Sequence, residues 1–532
     1  MPDTSRATSY EDLPYPDMCY TQTHPGRLSA CARLLGLDPA PVERCRVLEL
    51  GCASGANLLP MADALPESTF VGIDLSQRQI GEANRVVQEL GLGNIAFAAL
   101  DVRDIPADLG EFDYIIAHGV YSWVPPQVRD SLLAVCQTHL APGGIAYVSY
   151  NALPGWHAVQ GLREMMLYHI RDEQEPLARA TRARELLTFL AEAVADQRNQ
   201  AHGSAMEGYL DLLQQQLQDP RSQVDAVLLH DELEEHNTPV YFWQFAEHAA
   251  EHGLQFVVEA DFPLSVPSNL SEEVVKTLNE VCDTIVETEQ YMDFVRNRAF
   301  RRTLLCHEAQ TVDRTLRTAR VRELAVSTRA ERVEEHAKEA QAMVAGYRGA
   351  DGASFQTDHP LTIAAMDHLV QCSPQALPFD DLVRAAARRM EQNEPTEEDI
   401  TRLAAGLLRA FTYSLSLVEL HGYAPAFTTM VGERPLAFKM ARYQAREGDR
   451  VANLRHERVH LDPLGRYILP FLDGRHTLDD LMALLDDLLA RDAEHRQAQG
   501  QSAAPTGAAR ERVREELESS LEWLARAALL VS

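Results

Sequence analysis

No C-x-x-C pair occurs among the eight cysteines, at positions 19, 31, 45, 52, 136, 282, 306 and 372. Such a distribution signals neither a structural zinc site nor a disulfide scaffold. No stretch approaches the roughly 20 apolar residues needed to span a bilayer. The first thirty residues hold acids and prolines but no apolar core, so no secretory signal is visible. A cytoplasmic chain without a membrane partner is expected. Positive charge is scarce as well: Lys and Arg total 49 against 79 Asp and Glu, a formal charge of −30. Phosphate backbones call for clustered cations, so nucleic acid is not expected as the main partner. At 532 residues the chain is too long for one core and should hold two or three domains.

What is present begins with the run Val47-Leu48-Glu49-Leu50-Gly51-Cys52-Ala53-Ser54-Gly55-Ala56-Asn57. Apolar residues lead into an acid, then two glycines four apart, then a helix start. This reads as a buried parallel strand ending in a tight turn that a ligand can approach. Nineteen residues after Gly55, Phe70-Val71-Gly72-Ile73-Asp74 ends a second strand in a carboxylate, an offset suited to a ribose hydroxyl pair. The three-glycine order of dinucleotide enzymes, which seats a pyrophosphate, is missing. Glu49 would repel a pyrophosphate but suits an ammonium. S-adenosyl-L-methionine has a ribose, an adenine and an amino-acid end, and no phosphate. The run resembles the first motif of class I methyltransferases, [E/D]-x-G-x-[G/A]-x-G, met by Glu49, Gly51, Ala53 and Gly55.

Later segments arrive in matching order. Ile95 to Val102 reads as a third strand with Asp101 at its end, where this family reaches the adenine amino group. Phe112 to Val120 reads as a fourth strand and loop. Pro125-Pro126 opens a helix through about Leu140, and Ala141-Pro142-Gly143-Gly144 turns into a fifth strand, Ile145 to Tyr150. Strands alternating with helices imply a parallel sheet with ligand at the strand carboxyl ends. From Trp156 to about Gln218 the spacing predicts long helices. A helix from Tyr241, a stop at Gly253 and the apolar Leu254–Glu259 look like the closing helix and sixth strand of the sheet, displaced downstream. Phe300–His307 would be the seventh. The expected fold is therefore α/β: a Rossmann-like, seven-stranded class I sheet with helical inserts near 156–236 and 264–297. A separate helical domain behind a five-stranded sheet is the alternative.

Leu228 to Phe242 and Gln290 to Arg298 resemble the methyltransferase regulatory domain. It accompanies a bacterial class I group that includes the rickettsial outer-membrane-protein lysine methyltransferases. Tyr20-Thr21-Gln22-Thr23-His24-Pro25, the loop His118 to Pro125 and Tyr150 to His157 are similar to the same group. The resemblance implies S-adenosyl-L-methionine held by Glu49, Gly51, Cys52, Ala53, Gly55, Asn57, Asp74, Leu75, Gln79, Asp101, Val102 and His118. A lysine acceptor must lose a proton before attack, which makes His118, His24 and Tyr121 candidate bases. Aromatics at 121, 123, 150 and 156, Trp123 in particular, are candidates to line an alkyl-ammonium channel, with core packing as the alternative. The fourth-strand loop lacks the [N/D]-P-P-[Y/F/W] tetrad common in enzymes acting on base amines. His248 and His252 are four apart without the H-E-x-x-H glutamate, and His230 and His236 are six apart, so no metal site is expected.

The resulting domain scheme has a cofactor-binding core over 20–155 and a helical insert and regulatory region over 156–310. A helical linker over 311–350 follows, with Gly346–Gly352 as its flexible end. Two winged-helix-like units, 351–425 and 426–532, complete the mainly helical C-terminal region, the second interrupted by a flexible loop at Gln497–Ala509. A protein-docking or dimerisation role is expected of these units. Three functions remain open at this point: a protein lysine methyltransferase, a small-molecule methyltransferase of the same fold, and a non-catalytic S-adenosylmethionine-binding interaction protein.

Overall fold

The computed structural model describes residues 18–198, 204–218, 224–234, 236–333, 344–391, 395–498 and 507–531. Its centre is a sheet of β1 (Arg46–Leu50), β2 (Thr69–Asp74), β3 (Ile95–Ala99), β4 (Phe112–Ala117), β5 (Leu140–Asn151), β6 (Leu254–Glu259) and β7 (Phe300–His307). The seven strands run in the order β3-β2-β1-β4-β5-β7-β6, and β7 lies antiparallel to both β5 and β6. Chain order reverses at β1, whose neighbours are β2 and β4. Loops leaving the carboxyl ends of β1 and β4 therefore diverge to opposite faces and open a crevice there, the usual ligand position in such sheets. Strand interiors are apolar on both faces: Val47, Leu48, Ile115, Ile116, Ala146 and Val148 are fully buried. Helices α1 (Pro25–Leu34), α2 (Leu58–Ala64), α3 (Gln77–Leu90) and α4 (Pro126–His139) cover the sheet.

The displaced ending of the sheet is present, so the insertion reading holds and the separate-domain alternative does not. Between β5 and β6 the chain makes α5 (Trp156–His169), α6 (Pro176–Arg198), α7 (Ser204–Gln218) and α8 (Phe242–Glu251). Helices α9 (Glu272–Val281) and α10 (Ile285–Arg296) separate β6 from β7. The insert has its own apolar cluster, including Leu162, Met166, Leu187, Leu213 and Leu228. A buried ion group fastens α10 to the sheet: Arg301 of β7 donates to Glu259 at 2.8 Å, Glu289 at 2.9 Å and Asp293 at 2.8 Å.

Three expectations need correction. The third strand ends at Ala99, not Val102, and the turn at Ala141–Gly144 is absorbed into a β5 that starts at Leu140. More consequentially, 311–350 is not a helical linker. Beyond a helical turn at Thr318–Val321 it holds β8 (Ala325–Ser327), β9 (Glu331–Val333) and β10 (Ala345–Arg348). Gly346 pairs with Val333 on one side and with Gln356 of β11 (Ser354–Thr357) on the other. A Cβ on Gly349 would meet Ser416 Oγ at 2.1 Å, so this segment is packed against its neighbours. Strands of three or four residues carry too few alternations for periodicity to separate them from helix.

The first winged unit is α11 (Pro360–Cys372), β12 (Leu377–Pro378), α12 (Phe379–Arg389), α13 (Glu397–Tyr413) and β13 (Glu419–His421). Its small sheet is ordered β12-β8-β13, so its central strand comes from before residue 351. The second unit contains α14 (Lys439–Glu447), the hairpin β14 (Arg450–Ala452) and β15 (Arg458–His460), α15 (Pro463–Ile468), α16 (Leu478–Ala498) and α17 (Gly507–Arg526). Within the loop expected at Gln497–Ala509, residues 499–506 lie outside the described residues. One apolar cluster runs from Leu28 and Val47 through Met366 and Leu407 to Leu530, joining both units to one face of the sheet. No helix among the described residues is long and apolar enough to cross a membrane.

Candidate functional site

The turn after β1 takes left-handed backbone at Gly51 (φ 74°), Ala53 (φ 49°) and Gly55 (φ 77°). A Cβ on Gly51 would fall 2.5 Å from Val120 Cγ2, and one on Gly55 would fall 2.4 Å from the Phe97 ring. Glycine is thus needed twice here, for conformation and for the close approach of β3 and of the β4 loop. Asp74 ties the turn to β2. Its Oδ2 accepts Ala53 N–H at 2.9 Å and its Oδ1 accepts Ser76 N–H at 2.9 Å. Leu75, next to it, is 57% exposed at the mouth of the crevice. Cys52 is buried, with its sulfur beneath Gly72, so any ligand it meets is met by its backbone.

Glu49 lies at the buried end of the crevice. Its Oε1 accepts Asn57 Nδ2–H at 2.7 Å, while its Oε2 has no hydrogen-bond partner among the described residues. Burial pushes its carboxyl up to about 8, against the opposing pull of the Asn57 bond. A buried orphan carboxylate oxygen is costly unless a ligand satisfies it. Gln79 shows the same feature: its side chain is buried and Nε2 has no partner among the described residues. Asp101 accepts from Arg103 N at 2.9 Å and from Arg103 Nη2 at 2.6 Å, and that guanidinium holds it below the usual carboxylate range. Val102 follows it, partly buried against the apolar layer under the sheet.

His118 stands at the end of β4. Its Nδ1 is 2.9 Å from Tyr147 Oη and 3.3 Å from Ser149 Oγ, and Phe300 meets the ring edge-on at 6.2 Å. Tyr20 covers the other side, its ring 3.8 Å from that of His118, and its N–H donates to Asn57 Oδ1 at 3.0 Å. The carboxylate end of the crevice and the β4 end are thereby linked through one residue.

Not every proposed base belongs here. His24 caps α1: its Nδ1 accepts Gly26 N–H at 3.0 Å, and burial lowers its pKa to about 3. The ring packs against Tyr423 and His456. Tyr121 is a core residue. Its ring meets Phe245 at 5.1 Å and Tyr150 at 5.8 Å, its hydroxyl is 2.8 Å from His248 Nδ1, and burial raises its pKa to about 12. Tyr150 is likewise core, stacked on Phe245 at 4.1 Å. Trp123 stays half-buried, edge-on to Trp156 at 6.3 Å. His252 Nε2 pairs with Asp130 Oδ1 at 3.0 Å, and His248 Nε2 lies 3.7 Å from the same oxygen, clipping α8 to α4.

Two further residues complete the picture. Tyr20 sits in a segment whose likeness to the family was visible, but nothing local marked it as a lid on His118. His456 is the other: its Nε2 is 2.9 Å from Asn57 Oδ1, across 399 positions of sequence. No sequence pattern announces such a contact.

A mixed seven-stranded sheet with this turn, an acid closing each of β1 and β2, and no phosphate cradle among the described residues defines an S-adenosylmethionine-dependent methyltransferase. The orphan Glu49 oxygen, the orphan Gln79 amide and the exposed Leu75 suit that cofactor's ammonium, polar and adenine parts. Comparison with known proteins agrees. Residues 47–144 match the family described as a methyltransferase domain, 224–307 the predicted methyltransferase regulatory domain, and 433–529 the C-terminal winged helix domain of PKMT. Uncharacterized protein RP789 of Rickettsia prowazekii is 33% identical over 489 residues, 90% of this chain and 85% of that one. PKMT2 from Rickettsia typhi is 26% identical, with a TM-score of 0.84 over 97% of this chain and all of that one. A second structure of PKMT2, in complex with S-adenosylhomocysteine, matches at a TM-score of 0.81 and 27% identity over 98% of this chain and all of that one. The chain belongs to this family of class I S-adenosylmethionine-dependent methyltransferases, which joins a regulatory domain and a C-terminal winged helix to the catalytic sheet.

Proposed function

We propose that this methyltransferase modifies lysine side chains of a protein acceptor. The observation that carries the reading is the extent of the likeness to PKMT2, a protein lysine methyltransferase by its name. It runs through 97% of the chain and so includes the C-terminal half, which a small acceptor would not need.

In this reading the crevice divides among the parts of the cofactor. Glu49 receives the ammonium, with Asn57 steadying its other oxygen. Backbone at Gly51, Cys52, Ala53 and Gly55 borders the amino-acid end, and Asp74 accepts from the ribose hydroxyls. Leu75, Gln79, Asp101 and Val102 border the adenine. When bound, S-adenosylmethionine supplies a methyl group on an electrophilic sulfonium, and the enzyme's task is alignment and exclusion of water. Tyr20 and His118 close the β4 side, and a lysine approaching past Trp123 and Trp156 gains favourable contact with their π faces. His118 is the base candidate that the geometry leaves, its Nδ1 oriented by Tyr147. Incubation of the enzyme with methyl-labelled cofactor and lysate of the source cell tests this. Label in the protein fraction is expected, and label confined to the small-molecule extract would overturn it.

A further inference from the structure

The hairpin β14–β15 belongs to the C-terminal winged helix domain, yet its tip ends in the cofactor crevice. Residues Asn453 to Glu457 form that tip. Asn453 Oδ1 accepts the N–H groups of Arg455 and Glu457, each at 2.9 Å, and His456 takes left-handed backbone with φ 58°. Arg455 points back into the first winged unit, donating to Pro374 O at 2.7 Å and pairing with Glu419. His456 points the other way. Its carbonyl accepts Thr21 Oγ–H at 2.9 Å, and its Nε2 reaches Asn57 Oδ1 at 2.9 Å. That amide oxygen also accepts Tyr20 N–H, so His456 is the donor, with its proton on Nε2. With its oxygen held from two sides, Asn57 must turn Nδ2 toward Glu49 Oε1 and Thr23 Oγ. An amide flip would set Nδ2 against the Tyr20 N–H and is blocked.

We propose that the C-terminal winged helix domain completes the cofactor site, with His456 as a positioning residue that holds Asn57 and thereby aims the free oxygen of Glu49 at the ammonium of S-adenosylmethionine. His456, Asn57 and Glu49 are each nine-tenths or more buried, so the chain of bonds is shielded from competing water. The same hairpin tip touches the first winged unit through Arg455. The proposal rests on the assignment of Glu49 to the ammonium.

The test compares two ligands on full-length enzyme by calorimetry. S-adenosylhomocysteine carries the amino-acid end, and 5′-methylthioadenosine has the same nucleoside without it. His456→Ala should weaken S-adenosylhomocysteine about tenfold, the effect of one lost buried hydrogen bond, and leave methylthioadenosine unchanged. His456→Gln, whose amide donates at similar reach, should restore most of the loss. Both variants bear the left-handed backbone strain equally, so their difference isolates the hydrogen bond. Equal weakening of both ligands, or no weakening of either, overturns the proposal. Glu49→Gln separates the two readings: if it weakens S-adenosylhomocysteine while His456→Ala does not, the relay fails and the ammonium assignment stands. If Glu49→Gln has no effect, the assignment itself fails. Should His456→Ala not fold, hydrogen exchange on the wild-type enzyme decides. Slower exchange of the amides at 453–457 on adding S-adenosylhomocysteine is expected, and protection confined to the glycine turn overturns the proposal.

Discussion

Glu49→Gln changes one atom type and leaves the shape of the crevice intact, so its consequence can be worked through. The buried carboxyl titrates at about 8, and at pH 7 about nine-tenths of the free enzyme carries a proton there. An amino-acid ammonium is still charged at that pH, because its own carboxylate holds it above the about 7.7–8.0 of a chain terminus. Forming the ion pair in the crevice therefore expels the Glu49 proton, most of one equivalent per binding event at pH 7. Calorimetry of S-adenosylhomocysteine binding in buffers of different ionisation enthalpy reads that number directly. Wild type should release it and the Gln variant should release almost none. Wild-type affinity should rise by up to about tenfold per unit as pH climbs toward ~8, with the variant nearly flat. At the alkaline end the variant should bind about tenfold to a hundredfold more weakly, the effect of losing a charge-assisted hydrogen bond. Stability moves in the opposite sense. The folded-state pKa lies above the ordinary 4.5, so the folded protein binds the extra proton and loses stability as pH rises from there toward about 8. That loss runs at up to roughly 1.4 kcal/mol per unit and is absent in the variant. Equal proton release from both proteins would refute the assignment of Glu49.

Asp74→Ala removes the acceptor proposed for the ribose and frees the Ala53 and Ser76 amides, so S-adenosylhomocysteine affinity should fall by tenfold to a hundredfold or more, measured by the same titration. Gly55→Ala places a Cβ 2.4 Å from Phe97 on left-handed backbone and should destabilise by about 2–4 kcal/mol in denaturant melts; adding Phe97→Leu should recover the steric part only. A chain ending near residue 350 should lose cofactor binding by calorimetry, because β8 loses both its partners and Asn57 loses His456. A truncated protein that folds and binds normally would show that the halves are independent.

Most of the sheet was legible in the sequence because each strand is a short apolar run closed by a glycine or an acid. Val47–Gly51 and Phe70–Asp74 show this plainly, and the displaced β6 and β7 were equally readable. The turn after β1 and its tie to β2 were legible because the pattern is local: Glu49, Gly51, Gly55 and Asp74 lie within twenty-six residues. What was not legible depends on distance or on direction. The contact of His456 with Asn57 joins two domains, and no local pattern encodes it. Tyr121 lies on a single 3₁₀ turn, where no periodicity says which way a ring points, and it turns into the core. His24 reads in sequence as a candidate base, but its Nδ1 is taken by the capping bond from Gly26 N–H. The strand at 325–327 is too short for alternation, so the first winged unit seemed to begin at 351.

The central claim concerns the acceptor atom. This enzyme has three lysines, Lys276, Lys338 and Lys439, so it contributes little self-methylation to a protein-bound signal. The direct measurement is methyl incorporation into the acceptor protein before and after chemical acetylation of its lysines, with mass spectrometry locating the methyl groups. Label is expected on lysine side chains and should disappear on acetylation. Label that survives acetylation, or that lies on other side chains, would contradict it.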